Sequence, residues 1–220
     1  MTYVEIAREI AAGIPVSLAV AFGGIGIGSV LAIAICAARI SASPIFSGAA
    51  WVYLQVVRSM PMIALLFLLY YGLSQFPAVR SSVLWPILRE PIWCAIIALS
   101  LKTSAYISEV YRIGILSVPA GEVLAARSFG FSGYRLYRSI IIPYATPVVL
   151  PAMSNEFVIL VKASSLASLI TLMDITGLAA GVSSETFRPL AAFSVAAIYY
   201  LTFNALMIAL FRLAERRLAK

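Results

Sequence analysis

Long apolar runs, set apart by short polar segments, dominate the chain. A helix needs about 20 apolar residues to cross the hydrocarbon layer of a membrane. The runs predict five such spans, at about 14–38, 52–75, 91–110, 143–170 and 189–211. Ile10 to Ala38 and Pro189 to Phe211 carry no charge at all. Gly23, Gly24, Gly26 and Gly28 fall in the first span. Gly24 to Gly28 is a GxxxG pair, which either lets a second helix approach closely or is simply tolerated in a membrane helix. The prediction is an all-α membrane protein, a single transmembrane domain over residues 1–220.

Composition agrees with the patterning. Of 220 residues, 62% are hydrophobic and 11% are charged, and the mean hydropathy is +1.00. A soluble domain carries about 25% charged residues, so the bilayer must solvate much of this surface. The N-terminus does not read as a cleaved signal. Glu5, Arg8 and Glu9 leave no positive leader, and the apolar run behind them is too long.

The net charge of +7 is not a nucleic-acid signature, because no basic cluster with interleaved aromatics accompanies it. It describes topology instead. With the C-terminus in the cytoplasm, Arg39, Arg112, Arg127, Arg135, Arg138, Arg212, Arg216, Arg217 and Lys220 lie inside, and Arg8, Arg80, Arg89 and Arg188 lie outside. This distribution obeys the positive-inside rule and puts the N-terminus on the outer side of the membrane. Arg58, Lys102 and Lys162 fall in or beside the spans. Charge at that depth must face protein or water or snorkel to an interface, so these residues suggest a polar path.

Cys36 and Cys94 sit in apolar stretches and read as small buried hydrophobes. The chain has no histidine, which argues against a transition-metal centre and, with no recognisable triad, against a membrane enzyme. No phosphate-binding P-loop is present. A secondary transporter or channel working without an ATPase is the alternative function. Such transporters often carry two inverted repeats with broken helices, and no convincing repeat is found here.

Between the third and fourth spans lies a cytoplasmic loop, 111–142. Ala120 to Phe129 has helix-forming composition, with Gly130 as its stop. Leu124, Ala125 and Ala126 offer a small apolar surface, and Arg127, Arg135 and Arg138 offer cations. A short helix outside the membrane fits a groove on a soluble partner.

Here the sequence resembles a known family. Ala125-Ala126, Gly130, Ile140 and Pro143 resemble the E-A-A-x3-G-x9-I-x-L-P signature of bacterial ABC importer permeases. Leu124 stands where the signature has Glu, Ile142 stands where it has Leu, and Glu122 is a neighbouring acid. Arg58-Ser59-Met60-Pro61 resembles the R-G-T-P of the polar amino-acid permeases. Ala105-Tyr106, Glu109 and Arg112 resemble A-Y-x-x-E-x-x-R. Leu150-Pro151, Asn155-Glu156 and Lys162 to Leu166 resemble L-P, N-E and K-D-[ST]-S-L. The similarity runs from about Ile14 to Arg217, and it is closest to the histidine, arginine and opine systems.

The resemblance implies the type I importer permease fold, with five transmembrane helices and a cytoplasmic coupling helix, in the bacterial inner membrane. It implies a pore of two copies or of two related subunits. It also implies a cytoplasmic ABC ATPase dimer that binds ATP and Mg, and a periplasmic solute-binding protein. The solute would be a polar, basic amino acid or opine. The chain itself would hold no cofactor, metal or catalytic group. Glu122, Leu124, Ala125, Ala126, Arg127 and Gly130 would couple to the ATPase. Glu156, Asn155, Lys162 and Ser164 are the candidate solute contacts.

Glu156 lies in an apolar segment. It either holds a solute ammonium or guanidinium group or pairs with a basic residue of a neighbouring helix. Position 163 lies on the same helical face, but this chain has Ala163 where relatives often have Asp. Two accounts fit: a sister subunit with the main site, or a solute with less positive charge. Lys162, about 240° around the helix from Glu156, either holds a solute carboxylate or meets a partner-helix acid. Ser164 and Ser165 either line the path or bond to carbonyls one turn back. Glu109 and Arg112 form an i,i+3 pair that sets the take-off of the loop.

Overall fold

A computed structural model of the protein describes residues 1–218. Lys220, counted above among the cytoplasmic charges, lies outside the described residues. Four helical stretches are long and apolar enough to cross a membrane: Ile14–Ile40, Pro91–Leu116, Gly133–Ile170 and Pro189–Arg217. A fifth is broken. Helix α3 (Pro44–Ser59) and the arm Met62–Gln75 meet at 103°. That arm comprises α4 (Met62–Phe67), a single π turn and a 3-10 turn.

The expected second span, 52–75, thus takes another form. Pro44 opens α3 directly after the Ser41–Ser43 connection, as proline does at a first helical turn. Pro61 then ends it, because it has no N–H and its ring disfavours helix in the residue before it.

Three of the short helices outside the spans precede the first or the third span. Helix α1 (Tyr3–Ala11) is fastened by a capping box: Glu5 N–H donates to Thr2 Oγ1 at 3.3 Å and Thr2 N–H to Glu5 Oε2 at 2.7 Å. Its Ile6 and Ile10 are fully buried against α11 (Ile175–Thr186) and α12 (Pro189–Leu218). The remaining two, α5 (Pro77–Arg80) and α6 (Trp85–Leu88), lead from the broken span into α7 (Pro91–Leu116).

The most extensive pairing joins α2 (Ile14–Ile40) to α7. The GxxxG pair makes it possible. A Cβ on Gly24 would stand 2.6 Å from Leu99 Cβ, and one on Gly28 would overlap Thr103 and stand 2.7 Å from Ser100 O. The small-residue face therefore packs within the chain. Helix α7 satisfies its own hydroxyls: Ser100, Thr103, Ser104 and Ser108 donate to carbonyls three or four residues back. Cys36 and Cys94 are both buried.

The loop between the third and fourth spans is shorter than 111–142. Helix α7 continues to Leu116, then α8 (Ala120–Ser128) follows, and helix resumes with α9 (Gly133–Leu136). A π turn (Tyr137–Ile141) joins α9 to α10 (Ile142–Ala163), which passes into a 3-10 segment, Ser164–Ile170. Helix α8 closes with Phe131 N–H on Ala126 O at 3.0 Å and Gly130 N–H on Arg127 O at 2.9 Å, a Schellman motif. Gly130 sits at φ +84, the left-handed region that only glycine enters without strain.

Candidate functional site

A cavity of about 390 Å³ opens at the break in the second span. Arg58, Ser59, Met60, Pro61 and Met62 line it from the break, Lys102 and Tyr106 from α7, and Glu156, Ile159, Leu160 and Ala163 from α10. The last four follow i, i+3, i+4, i+7 spacing, so one face of α10 makes that wall. Ala163 does share the cavity with Glu156, which leaves the α10 wall with one carboxylate.

The two free charges in this cavity are Arg58 and Glu156. Among the described residues, neither makes a side-chain hydrogen bond or an ion pair. Arg58 rests its guanidinium on the Tyr106 ring, 5.1 Å from the centroid. Its charge is the opposite charge that acts on Glu156. A basic group and an acidic group thus flank one apolar hollow, an arrangement that suits a zwitterion.

Lys102 is different. It is buried, with 7% exposure, and its ammonium donates to Val57 O at 2.6 Å, Arg58 O at 3.5 Å and Met60 O. Sequence reasoning asked what a charge at this depth would face; the answer is the carbonyl end of α3.

Of the other expected solute contacts, Asn155 and Lys162 are exposed and do not line the cavity. Ser164 is buried and donates to Val161 O at 2.8 Å, and Ser165 donates to Lys162 O at 2.7 Å. Both serines take the backbone-bonded alternative. A second cavity, about 400 Å³, lies between α2, α7 and α10 and is lined by Cys36, Tyr111, Tyr137, Thr146 and aliphatic side chains. With no charged group in its wall, it offers nothing to orient a polar solute.

Toward the α8 end of α7, Glu109 and Arg112 form the expected pair. Arg112 donates from Nε and NH2 to Glu109 Oε2 at 3.0 and 2.9 Å. The structure adds Arg39, whose Nε lies 3.6 Å from Glu109 Oε1 and whose NH1 donates to Ser47 Oγ at 3.1 Å. One carboxylate therefore fastens the C-terminal parts of α2 and α7, and through Ser47 the start of α3.

Helix α8 divides its residues between two sides. Ala126 is buried with Val118, Leu136 and Ile141. Glu122, Leu124, Ala125 and Arg127 are exposed, as is the turn residue Gly130. Phe129, which the motif passes over, is 84% exposed beside Leu124 at 62%. Two apolar side chains thus stand free on a helix outside the spans, and only the prediction of a helix ending near 129 hinted at the second.

Asp174 was also missed. It is fully buried at the N-cap of α11, between the fourth and fifth spans. Its Oδ1 accepts from Gly177 N–H at 2.7 Å and its Oδ2 from Tyr200 OH at 3.3 Å. Burial pushes the carboxyl up to about 6, against the lowering effect of these hydrogen bonds.

The family model described as binding-protein-dependent transport system inner membrane component matches residues 24–220. The octopine transport system permease protein OccM of Rhizobium meliloti is 48% identical over 204 residues, covering 93% of this chain and 83% of that protein. The nopaline transport system permease protein NocM of Agrobacterium fabrum is 41% identical over 213 residues, covering 96% and 88%. Among solved structures, a chain of an amino acid ABC transporter with histidines superposes with a TM-score of 0.85 at 29% identity, covering 97% of this chain and 96% of that one.

Proposed function

The chain belongs to the family of binding-protein-dependent transport system inner membrane components, and from that premise we propose that it is the permease subunit of an ATP-driven importer for a polar, basic amino acid or an opine. The relatives named for octopine and nopaline support the solute class, as does the solved amino acid transporter. The observation that carries the reading is the pair of free opposite charges, Arg58 and Glu156, in the cavity at the broken span. Glu156 takes the solute's ammonium or guanidinium group, and Arg58 takes a carboxylate. Asn155, Lys162 and Ser164 have no part in this pocket.

The chain is a multi-pass inner-membrane protein and not itself a catalyst. ATP and Mg are held by two ATPase subunits in the cytoplasm. Each permease subunit docks α8 on one of them, through Leu124, Ala125, Arg127 and Phe129, with Glu122 at the rim. Ala126 and Gly130 hold the shape of this helix rather than meet the partner. A second permease, the same chain or a sister, completes the pore. A binding protein delivers solute to the outer face, with the N-terminus outside and the C-terminus inside.

The test is reconstitution of the whole complex with its binding protein in lipid nanodiscs, followed by ATP hydrolysis with single amino acids and opines. A basic amino acid or an opine should stimulate hydrolysis. Glu156→Ala should abolish stimulation by a cationic solute while the complex still assembles. Unchanged kinetics in that variant would remove Glu156 from the site.

A further inference from the structure

Helix α3 ends at the break in the second span. The last carbonyls of any helix lack partners within it. Met60 N–H answers Val56 O at 3.3 Å. Pro61 has no N–H to give Val57 O, and the chain turns away at 103°. Val57 O, Arg58 O and Met60 O are left without a backbone donor, and a buried carbonyl without a partner is destabilising.

One side chain answers all three. An ammonium has three N–H donors, and Lys102 Nζ contacts the three carbonyls named. Its charge also opposes the negative end of the α3 dipole. With every donor committed, Lys102 has none to offer a solute. Tyr106 lies one turn further along α7, on the same face, and carries the Arg58 guanidinium on its ring. Arg58 is therefore held twice from one helix, at its carbonyl by Lys102 and at its side chain by Tyr106. Tyr53 OH adds a tie, with Leu101 O at 3.1 Å and Ser104 Oγ at 2.7 Å.

We infer that Lys102 is a positioning residue for solute binding: it clamps the carbonyl end of α3 at the break and thereby holds Arg58 in the cavity, without touching the solute. This rests on the importer reading above. It makes Arg58, and not the more deeply buried cation, the group that meets a solute carboxylate.

The test is equilibrium binding of radiolabelled arginine, with one carboxylate, and octopine, with two, to the purified complex in nanodiscs. The maximal solute-stimulated ATP hydrolysis rate is the second readout. Lys102→Met should weaken both solutes alike, by about tenfold, with the maximal rate changed less. Lys102→Arg, which keeps donors at the break, should recover most of the loss. The double variant Lys102→Met/Arg58→Ala should bind no worse than Arg58→Ala alone, because both act through one group. Should Lys102→Met fail to assemble, Lys102→Gln, which keeps an amide donor, is held to the same criteria. Selective loss of octopine binding in the Lys102 variant, additive losses in the double variant, or unaltered binding would each overturn the clamp. Absence of binding and of stimulated hydrolysis in the wild-type complex would overturn the importer reading itself.

Discussion

Replacing Gly28 by alanine adds one methyl group where α2 meets α7. That carbon would stand 2.7 Å from Ser100 O, against about 3.3–3.6 Å for an ordinary carbon–oxygen contact. The shortfall is roughly 0.7 Å. It cannot be absorbed by a rotamer change, because Ser100 O is backbone. Thr103, which the methyl also overlaps, is fully buried with its hydroxyl on Leu99 O at 2.8 Å. The two helices must separate. Overpacking of this kind costs about 1–3 kcal/mol, and the better helix propensity of alanine returns up to about 1 kcal/mol. A net loss of about 1–2 kcal/mol lowers Tm by about 2–8 °C for a chain of this size. Gly26 is the control: its added Cβ meets nothing within 4 Å, so Gly26→Ala should hold or raise Tm. The assay is thermal unfolding of the purified complex in one detergent, followed by intrinsic fluorescence. If the two variants melt within about 1 °C of each other, the close approach of α2 and α7 does not stabilise the fold and the reasoning fails.

Glu109→Gln strips the shared partner from Arg39 and Arg112. Because both arginines keep partial exposure, the expected cost is about 1–3 kcal/mol rather than that of a fully buried charge; a Tm equal to wild type would refute it. Asp174 titrates from an ordinary 3.8 when unfolded to about 6 when folded. Across that window the folded chain holds the extra proton, so this group's contribution to stability falls as pH rises and levels off above about 6. The expected loss is about 3 kcal/mol, read as the Tm of wild type relative to Asp174→Asn from about pH 4 to pH 7; a constant offset would count against it. If α8 is the docking helix, Leu124→Asp and Phe129→Ala should each weaken ATPase association at least tenfold in a pull-down titration while membrane insertion is intact. Undiminished capture by both variants would remove α8 from the docking surface.

The spans were legible because the bilayer enforces them: a charge-free run such as Pro189 to Phe211 has no other stable environment. The loop helix was legible through composition and its glycine stop. Glu156 declared itself as a carboxylate in an apolar run. The opposite charge in the cavity did not, because Arg58 comes to share that cavity with Glu156 only through a break that a hydropathy reading runs straight across, although Pro61 marked it. Lys102 posed the right question, but its partners lie 42 to 45 residues back, a distance no local pattern spans. Helices α1 and α11 are too short to register as spans. Their caps were written in Thr2-x-x-Glu5 and in Asp174 ahead of an apolar run, signals overshadowed by the larger hydropathy pattern.

The break in the second span also constrains how the chain enters its membrane. Helix α3, at 16 residues, is about 24 Å long, short of the roughly 30 Å hydrocarbon core. It cannot insert as a free-standing segment, and only residues 41–43 separate it from α2, so the two go in as a hairpin. The donor that seals its inner end is synthesised more than forty residues later. A nascent chain stopped before Lys102 would leave three carbonyls open at the end of α3, so the half-helix gains its seal only when α7 arrives.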